Sequence, residues 1–341
     1  MSIVLTLLLV LLLALALLFG WLFLRTRSLA REAEATVPQA GQVVPVEGGA
    51  IHYVEYGKPD APPVVLIHGI SAQLQHFTYA VAPLLSEEFR VIVIDRPGCG
   101  YSRRDRDELA ALPEQARMIG EFLDNLGIEK PVIAGHSLGG AVTLAIALDR
   151  PDKTAAIALI APATQMQDKV DPIFKGLEIR SPFMRRLIGH TIAVPAAKAS
   201  AAQVLAHAFA PESPAADFMT RAGAALGLRP KAFITGSSDL VMLEGAMPKQ
   251  VVRYDKLKVK GGILYGTEDK VLSADLHGRS MMRYGLSYDE LEGRGHMLPI
   301  TAPEDCANFI RRIAERAKPP APAAEPPAEP PADMPYTGGE A

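Results

Sequence analysis

The stretch AGHSLGG, residues 134–140, places a serine between glycines at a spacing that supports nucleophilic catalysis. Gly135 precedes Ser137 by two positions and Gly139 follows it by two, which is the G-x-S-x-G pattern of a sharp strand–turn–helix elbow. Such an elbow exposes the serine hydroxyl, and its glycines let neighbouring backbone approach closely. Because the pattern also arises by chance, it predicts a nucleophile only if a strand precedes Ser137 and a helix follows it.

The residues around the serine supply that context. KPVIAGHS (130–137) has the pattern of a buried strand, and the residues that follow, to about Ala147, have the pattern of a helix. Strands and helices alternate along most of the chain, so we expect a mostly parallel sheet with helices on both faces. Further strands are predicted at 43–47, 50–57, 63–69, 89–98, 154–162, 260–269 and 287–293, and further helices at 113–127 and 303–317.

Polar side chains occur where the predicted strands end. His68, Asp95, Ser137, Asp269 and His296 each lie near or just beyond the end of a strand. In open parallel sheets, catalytic groups gather beyond the carboxyl ends of the strands. A serine hydroxyl is a weak nucleophile at neutral pH, so it needs a base within hydrogen-bond reach and an acid that orients the base. We therefore expect a catalytic site at this edge of the sheet.

Several motifs, taken in order, resemble those of the α/β-hydrolase fold superfamily, and the resemblance extends over residues 42–316. They are HGI (68–70), DRPGCGYS (95–102), GHSLGG (135–140), GTEDKV (266–271) and GHMLP (295–299). DRPGCGYS is most similar to the branch that holds esterases, C–C bond hydrolases, haloperoxidase-like enzymes, dehalogenases and epoxide hydrolases. In the last two groups the nucleophile at the elbow is an aspartate, so Ser137 argues against both.

The resemblance implies a role for each site residue. Ser137 is the nucleophile, Asp269 the acid and His296 the base of a catalytic triad, in the chain order typical of the family. The family pattern places the oxyanion-hole donors at the backbone N–H groups of Ile70 and Leu138. No metal or organic cofactor is implied.

Other polar residues near these motifs have simpler interpretations. Glu268 is an alternative to Asp269 as the acid of the triad, but its side chain is expected to point the other way on a short turn. His68 is expected to steady the oxyanion turn, and His136 to pack or form hydrogen bonds locally. Asp95 is expected to hold the DRPGCGYS turn through local hydrogen bonds.

Residues 163–245 interrupt the alternation and predict an inserted, mainly helical cap over the site. The apolar composition of this segment favours a small-molecule substrate with an apolar acyl chain. The leading hypothesis is a serine hydrolase of lipophilic carboxylic esters, such as monoacylglycerols. The alternatives are a C–C bond hydrolase of vinylogous diketones, an acyltransferase that uses the same residues, and a non-catalytic scaffold that has kept the fold.

The first residues predict a membrane anchor. Residues 3–24 are apolar except for Thr6, and a helix of this length spans a bilayer core of about 30 Å. A cleaved signal peptide is the alternative, but it would need a basic start and a shorter apolar run. Arg25, Arg27 and Arg31 follow directly and are expected to place the catalytic domain in the cytoplasm by the positive-inside rule. We expect residues 1–24 to be a single-pass anchor and residues 25–41 a linker.

Composition excludes several other classes of function. The net charge is −3, and no basic stripe with interleaved aromatic residues indicates nucleic-acid binding. Cys99 and Cys306 are far apart in the sequence and are expected to be free thiols, with no cysteine or histidine pattern for a metal. Residues 317–341, rich in proline, alanine and glutamate, are expected to form a disordered tail.

Overall fold

The protein is described by a computed structural model over residues 3–167 and 170–317. Within these residues the central sheet has nine strands, eight of them in the order β1-β2-β4-β3-β6-β7-β8-β9, and β5 pairs with β2. The β1–β2 and β2–β4 pairs are antiparallel, whereas all pairs from β4 to β9 are parallel. The strands are β1 (Gln42–Val46), β2 (Gly49–Tyr56), β3 (Pro63–Ile67), β4 (Arg90–Ile94), β5 (Arg103–Arg104), β6 (Val132–His136), β7 (Ala156–Ile160), β8 (Gly261–Gly266) and β9 (Ser287–Leu291).

Helices cover both faces of the sheet. The α-helices are α1 (Ile3–Thr36), α2 (Gln75–Thr78), α3 (Val81–Leu85), α4 (Leu112–Asn125), α5 (Leu138–Asp149), α6 (Pro182–His190), α7 (Ala193–Phe209), α8 (Pro230–Val251), α9 (Ala274–His277), α10 (Leu298–Thr301) and α11 (Pro303–Ala317). In β3, Val65 and Ile67 join the core under α4 and α5, while Val64 and Leu66 join the core under α3 and α11. Burial on both faces explains why this strand is apolar at every position. The predicted α/β-hydrolase architecture is confirmed.

The segment between β7 and β8, in which the sequence predicts the cap, is mainly helical, and we keep the name cap for it. Beyond Ile160 the chain forms a 3₁₀ turn at Pro172–Leu177, then α6 and α7, another 3₁₀ turn at Ala224–Leu228, and finally α8. The sequence placed the end of the cap at residue 245, but α8 continues to Val251 because it also packs on the sheet core through Met247.

The first helix is longer than the sequence pattern predicts. The predicted linker, residues 25–41, is helical as far as Thr36, because Thr26, Leu29 and Ala33 recur at helical spacing and are buried. The helix stops before Pro38, which disfavours helical backbone at the preceding residue. In the described part of the chain, α1 is the one helix long and apolar enough to cross a membrane, and a signal sequence shares these features. The predicted tail lies outside the described residues from Lys318 onward.

Candidate active site

Ser137 occupies a sharp turn between β6 and α5. Its backbone angles are φ 54° and ψ −121°, a conformation that non-glycine residues rarely adopt. Ser137 N donates a hydrogen bond of 3.1 Å to Ile160 O of the neighbouring strand, which helps to hold the turn. The side chain therefore projects above the edge of the sheet at the start of a helix. Backbone strain of this kind is concentrated at functional sites.

The glycines around Ser137 are required by close backbone packing. A Cβ at Gly135 would lie 2.4 Å from Gly139 O, and a Cβ at Gly139 would lie 2.2 Å from Ile67 O. Gly69 is also close, because a Cβ there would lie 3.0 Å from the Ser137 Cβ. The elbow and the turn after β3 are thus packed against each other without room for side chains.

Asp269 and His296 form a buried hydrogen-bonded pair. Asp269 Oδ2 lies 2.7 Å from His296 Nδ1, and the two side chains are 0% and 6% exposed. Asp269 Oδ1 accepts hydrogen bonds from Val271 N at 2.8 Å and Leu272 N at 2.9 Å. An ionised carboxylate can only accept, so Nδ1 carries the proton and Nε2 of a neutral ring is free to accept one. The pair is arranged as the acid and base of a hydrolase require.

His296 and Ser137 face the same cavity, which has a volume of about 330 Å³. Within the described residues, no hydrogen bond joins Ser137 Oγ to His296. Such contacts are often long without substrate and shorten when it binds. His136 holds the loop in place, because its Nε2 donates to His296 O at 3.0 Å and the two rings lie 4.9 Å apart. Burial and the neighbouring His296 keep the pKa of His136 well below its usual value, so its ring stays neutral.

The backbone N–H groups of Ile70 and Leu138 lie beside Ser137. Ile70 follows the turn after β3, and Leu138 is the first residue of α5. Neither amide donates a hydrogen bond to another group in the part of the chain that the structure describes. Both residues line, with Ser137, a second cavity of about 100 Å³. The free Leu138 amide at a helix N-terminus favours negative charge, and the free Ile70 amide adds a second donor of the kind that an oxyanion needs.

His68 and Asp95 stabilise the surrounding loops. His68 Nε2 accepts from Arg96 N at 3.0 Å, and burial lowers the pKa of His68 to about 3. Asp95 accepts from Leu74 N and Tyr101 N at 2.8 Å and from His52 Nδ1 at 2.7 Å. Burial alone would raise the pKa of Asp95, but these hydrogen bonds, led by that from His52, hold it below its usual value.

Glu268, the other acidic residue considered, faces away from the site. Its Oε2 pairs with Lys270 Nζ at 3.0 Å, and both side chains are about half exposed. No group of residues suited to a metal ion occurs among the described residues.

A buried charge cluster behind the site was not predicted. Arg96 Nη1 lies 2.8 Å from Asp239 Oδ2 of α8, and Arg104 Nη1 lies 2.6 Å from Asp239 Oδ1. Arg96 also donates to His68 O at 3.0 Å and to Gly69 O at 2.9 Å. The cluster therefore ties the cap helix to the turn that carries the Ile70 amide. The sequence offers one signal, an arginine two positions after a buried strand, but nothing in it identifies Asp239 as the partner.

The two cavities meet at Ser137. Both are also lined by Ile70, Phe174 and Val271, so these residues stand between them. The helix α7 lines one side of the larger cavity with mostly apolar residues: Ala193, Val194, Ala197, Ser200, Ala201, Val204, Leu205, Ala208 and Phe209. The site can thus take a largely apolar molecule with groups on either side of the serine.

The chain matches the alpha/beta hydrolase family over residues 64–309. Among curated proteins it is similar to the dihydrolipoyllysine-residue acetyltransferase component of an acetoin cleaving system from Pseudomonas putida. The two are 37% identical over 139 residues, which is 39% of this chain and 35% of that protein. The chain spans about a third to a half of the length of the first curated relatives that it matches.

Solved structures with the same fold have different functions. A membrane phospholipase A described as a bacterial virulence factor is 22% identical, with a TM-score of 0.64 over 92% of this chain and 98% of that one. A meta-cleavage product hydrolase from Pseudomonas fluorescens is 20% identical, with a TM-score of 0.64 over 82% and 99% of the two chains. At these identities the likeness shows a shared fold and does not choose between reactions.

Proposed function

The chain belongs to the alpha/beta hydrolase family, and from that premise we propose that it is a serine hydrolase of lipophilic carboxylic esters. The proposed triad is Ser137, His296 and Asp269, with the Ile70 and Leu138 amides as the oxyanion hole. The observation that carries the proposal is the 2.7 Å contact between Asp269 and His296, whose ring faces the cavity that holds Ser137.

The first half of the reaction forms an acyl-serine. Ser137 Oγ attacks the ester carbonyl carbon while His296 Nε2 takes the hydroxyl proton. Asp269 stabilises the imidazolium that forms. The Ile70 and Leu138 N–H groups bind the oxyanion, and one such donor contributes about 3–4 kcal/mol in comparable sites. Collapse of the tetrahedral intermediate breaks the bond to the alcohol oxygen, which receives the proton from His296.

The second half releases the acid. A water molecule attacks the acyl carbon, and His296 Nε2 accepts its proton as the base. The new tetrahedral intermediate collapses, breaks the bond to Ser137 Oγ and returns the proton to the serine. Every proton step uses a group of this chain.

The apolar walls of the larger cavity support a lipophilic acyl substrate. The phospholipase named above acts on lipids, as its name states, and α1 would bring the site of this chain near such substrates. We propose that residues 3–24 span the membrane once and that Arg25 and Arg27 keep the catalytic domain cytoplasmic. Protease treatment of intact cells and of opened membranes tests the side, since a cytoplasmic domain is cleaved only after opening.

A panel of p-nitrophenyl esters with graded acyl length, assayed in detergent, tests the reaction. We expect turnover by the wild-type protein, a preference for medium or long chains, and no turnover by Ser137→Ala. A melting temperature of the variant within a few degrees of wild type shows that it is folded.

Two other results would replace this proposal. Cleavage of a dienoate diketone with little turnover of any ester would make the protein a C–C bond hydrolase. Formation of a new ester in preference to the free acid when an alcohol is added would make it an acyltransferase.

A further inference from the structure

The end of the apolar part of α1 is fixed against one corner of the cap. The rings of Phe23 and His190 lie 6.5 Å apart, and Thr26 Oγ1 donates a buried hydrogen bond of 2.8 Å to Thr191 O. His190 ends α6, and α7 begins at Ala193. This corner therefore lies level with residues 23–26, where the proposed membrane span ends.

The later turns of α1 are packed on the cap and fix its direction. Ala33 and Val37 are buried in a cluster with Ala225 and Leu226. Two ion pairs flank this contact, from Lys198 to Glu32 at 3.8 Å and from Arg229 to Glu34 at 3.5 Å. Because α1 is one continuous helix, the span and the cap are joined without a flexible linker. The orientation of the cap at the membrane follows from that of α1.

Apolar side chains beside this corner are exposed. On α6, Phe183 is 72% exposed, Met184 41% and Leu187 38%, and Ile192 just beyond the helix is 48% exposed. The spacing of the first three places them on one side of α6. At about 1.5 Å per residue, Phe183 lies about 11 Å along the helix from His190. The first three therefore lie on α6 within about 11 Å of the corner held by Phe23 and Thr26, and Ile192 lies at that corner.

We propose that these four residues, which we name the cap face, lie in the bilayer interface beside α1. The occupant of the cap face is lipid, at the boundary between headgroups and acyl chains. Exposed Arg25 and Arg27, directly after the span, suit the headgroup layer at the same level. Ala193 and Val194 follow Ile192 and line the larger cavity. The cap face thus holds the cavity wall against the lipid surface, so that an ester dissolved in the membrane reaches Ser137 from there. This inference rests on the proposed membrane span.

Quenching of tryptophan fluorescence by brominated phospholipids tests the placement without requiring turnover. The full chain, reconstituted into phosphatidylcholine–phosphatidylglycerol vesicles, has Trp21 as its one tryptophan. Quenching of Trp21 checks the span. A Trp21→Phe background then carries either Phe183→Trp or the control Val252→Trp.

Val252 is a matched control because it is 74% exposed but lies near the opposite edge of the sheet. Its neighbour Arg253 pairs at 2.5 Å with Asp149, at the far end of the helix that begins beside Ser137. We expect quenching of the Phe183→Trp protein to be at least about twofold greater than that of the Val252→Trp protein, because only the first side chain reaches acyl chains.

Equal, weak quenching of both substituted proteins, with Trp21 quenched, would overturn the cap face and leave the span standing. Absence of Trp21 quenching would overturn the span and the cap face together. Crosslinking between copies of a Phe183→Cys protein, with no quenching of the Phe183→Trp protein, would assign the surface to a second copy and also overturn the proposal.

Activity provides a second readout. We expect Phe183→Ser with Leu187→Ser to reduce hydrolysis of a long-chain ester held in vesicles by about tenfold, because the interfacial contact is lost. Hydrolysis of a short-chain p-nitrophenyl ester in solution should remain at the wild-type rate, since neither residue lines a cavity. Val252→Ser should change neither rate. Equal loss on both substrates would contradict delivery from the membrane.

Discussion

At the scale of single residues, both oxygens of the Asp269 carboxylate take part in hydrogen bonds. One oxygen accepts hydrogen bonds from two backbone N–H groups, and the other faces His296. The side chain is fully buried. Its orientation is therefore fixed before any substrate arrives. This arrangement suits an acid that sets the tautomer of the base.

Replacing Asp269 by asparagine tests this role. The amide of Asp269→Asn can donate to His296 Nδ1, which favours the tautomer with the proton on Nε2 and removes the base. We expect kcat for ester hydrolysis to fall by about 10⁴-fold, as for the equivalent change in another triad. Glu268→Gln, one position away and exposed, is the control and should retain wild-type kcat. A kcat for Asp269→Asn within about tenfold of wild type would be too high for the proposed acid.

The sequence could place Ser137, Asp269 and His296 near one edge because each residue follows a recognisable strand. It could not place Asp239. That residue lies inside a cap helix, 143 positions from Arg96, and no local pattern marks it as the partner of a buried arginine. Contacts between a cap and a sheet depend on packing that a single sequence does not encode in a short motif.

At the scale of elements, Asp239 connects α8, through Arg96, to the turn that carries the proposed oxyanion donor Ile70. Arg96 and Arg104 are 0% and 4% exposed and both pair with its carboxylate, which is itself fully buried. Breaking a buried pair by removing one charge is much more costly than replacing the whole cluster with apolar groups. This carboxylate should therefore contribute strongly to the attachment of α8.

We expect Asp239→Asn to lower the free energy of unfolding by about 3–5 kcal/mol, because two buried arginines lose the carboxylate that pairs with both of them. Chemical denaturation of the detergent-solubilised protein measures the change. Asp275→Asn removes an 80% exposed partner of Arg279 and is the control, with little expected change. Equal stability of the two variants would contradict the assigned importance of the cluster.

The second part of α1 is a helix that the sequence pattern did not predict. The apolar run of residues 3–24 was evident from composition, whereas the helical continuation to Thr36 was expected to be a linker. Its buried residues are small or moderately apolar and are separated by charges, so the stripe that packs on the cap is weak in the sequence. The stripe becomes evident only from its contact with Ala225 and Leu226 of the cap.

At the scale of the whole molecule, several buried histidines make folding sensitive to acid. Burial lowers the pKa of His68 to about 3 and those of His76 and His277 to about 4, from an ordinary value of 6.5. Between pH 6.5 and pH 4, the unfolded chain binds protons that the folded chain does not. The free energy of unfolding must therefore fall as the pH falls through this range.

The slope should approach about 1.4 kcal/mol per pH unit for each such histidine. His277→Asn retains an acceptor for Thr164 N and Gln165 N, which now donate to His277 Nδ1 at 3.1 and 3.2 Å. We expect the dependence of the free energy of unfolding on pH to be less steep in this variant, by about the contribution of one histidine. Denaturation curves at intervals from pH 7 to pH 4.5 measure it, and an unchanged slope would show that His277 is protonated in the folded protein.

The claim on which the account depends is that Ser137 is a nucleophile activated by His296. Labelling with a fluorophosphonate, followed by mass spectrometry of the peptides, tests it most directly. We predict one adduct, on Ser137, that forms in the folded wild-type protein and is lost in Ser137→Ala and after unfolding. Label on a different residue, or none on Ser137 in folded protein, would contradict the proposed acyl-serine mechanism.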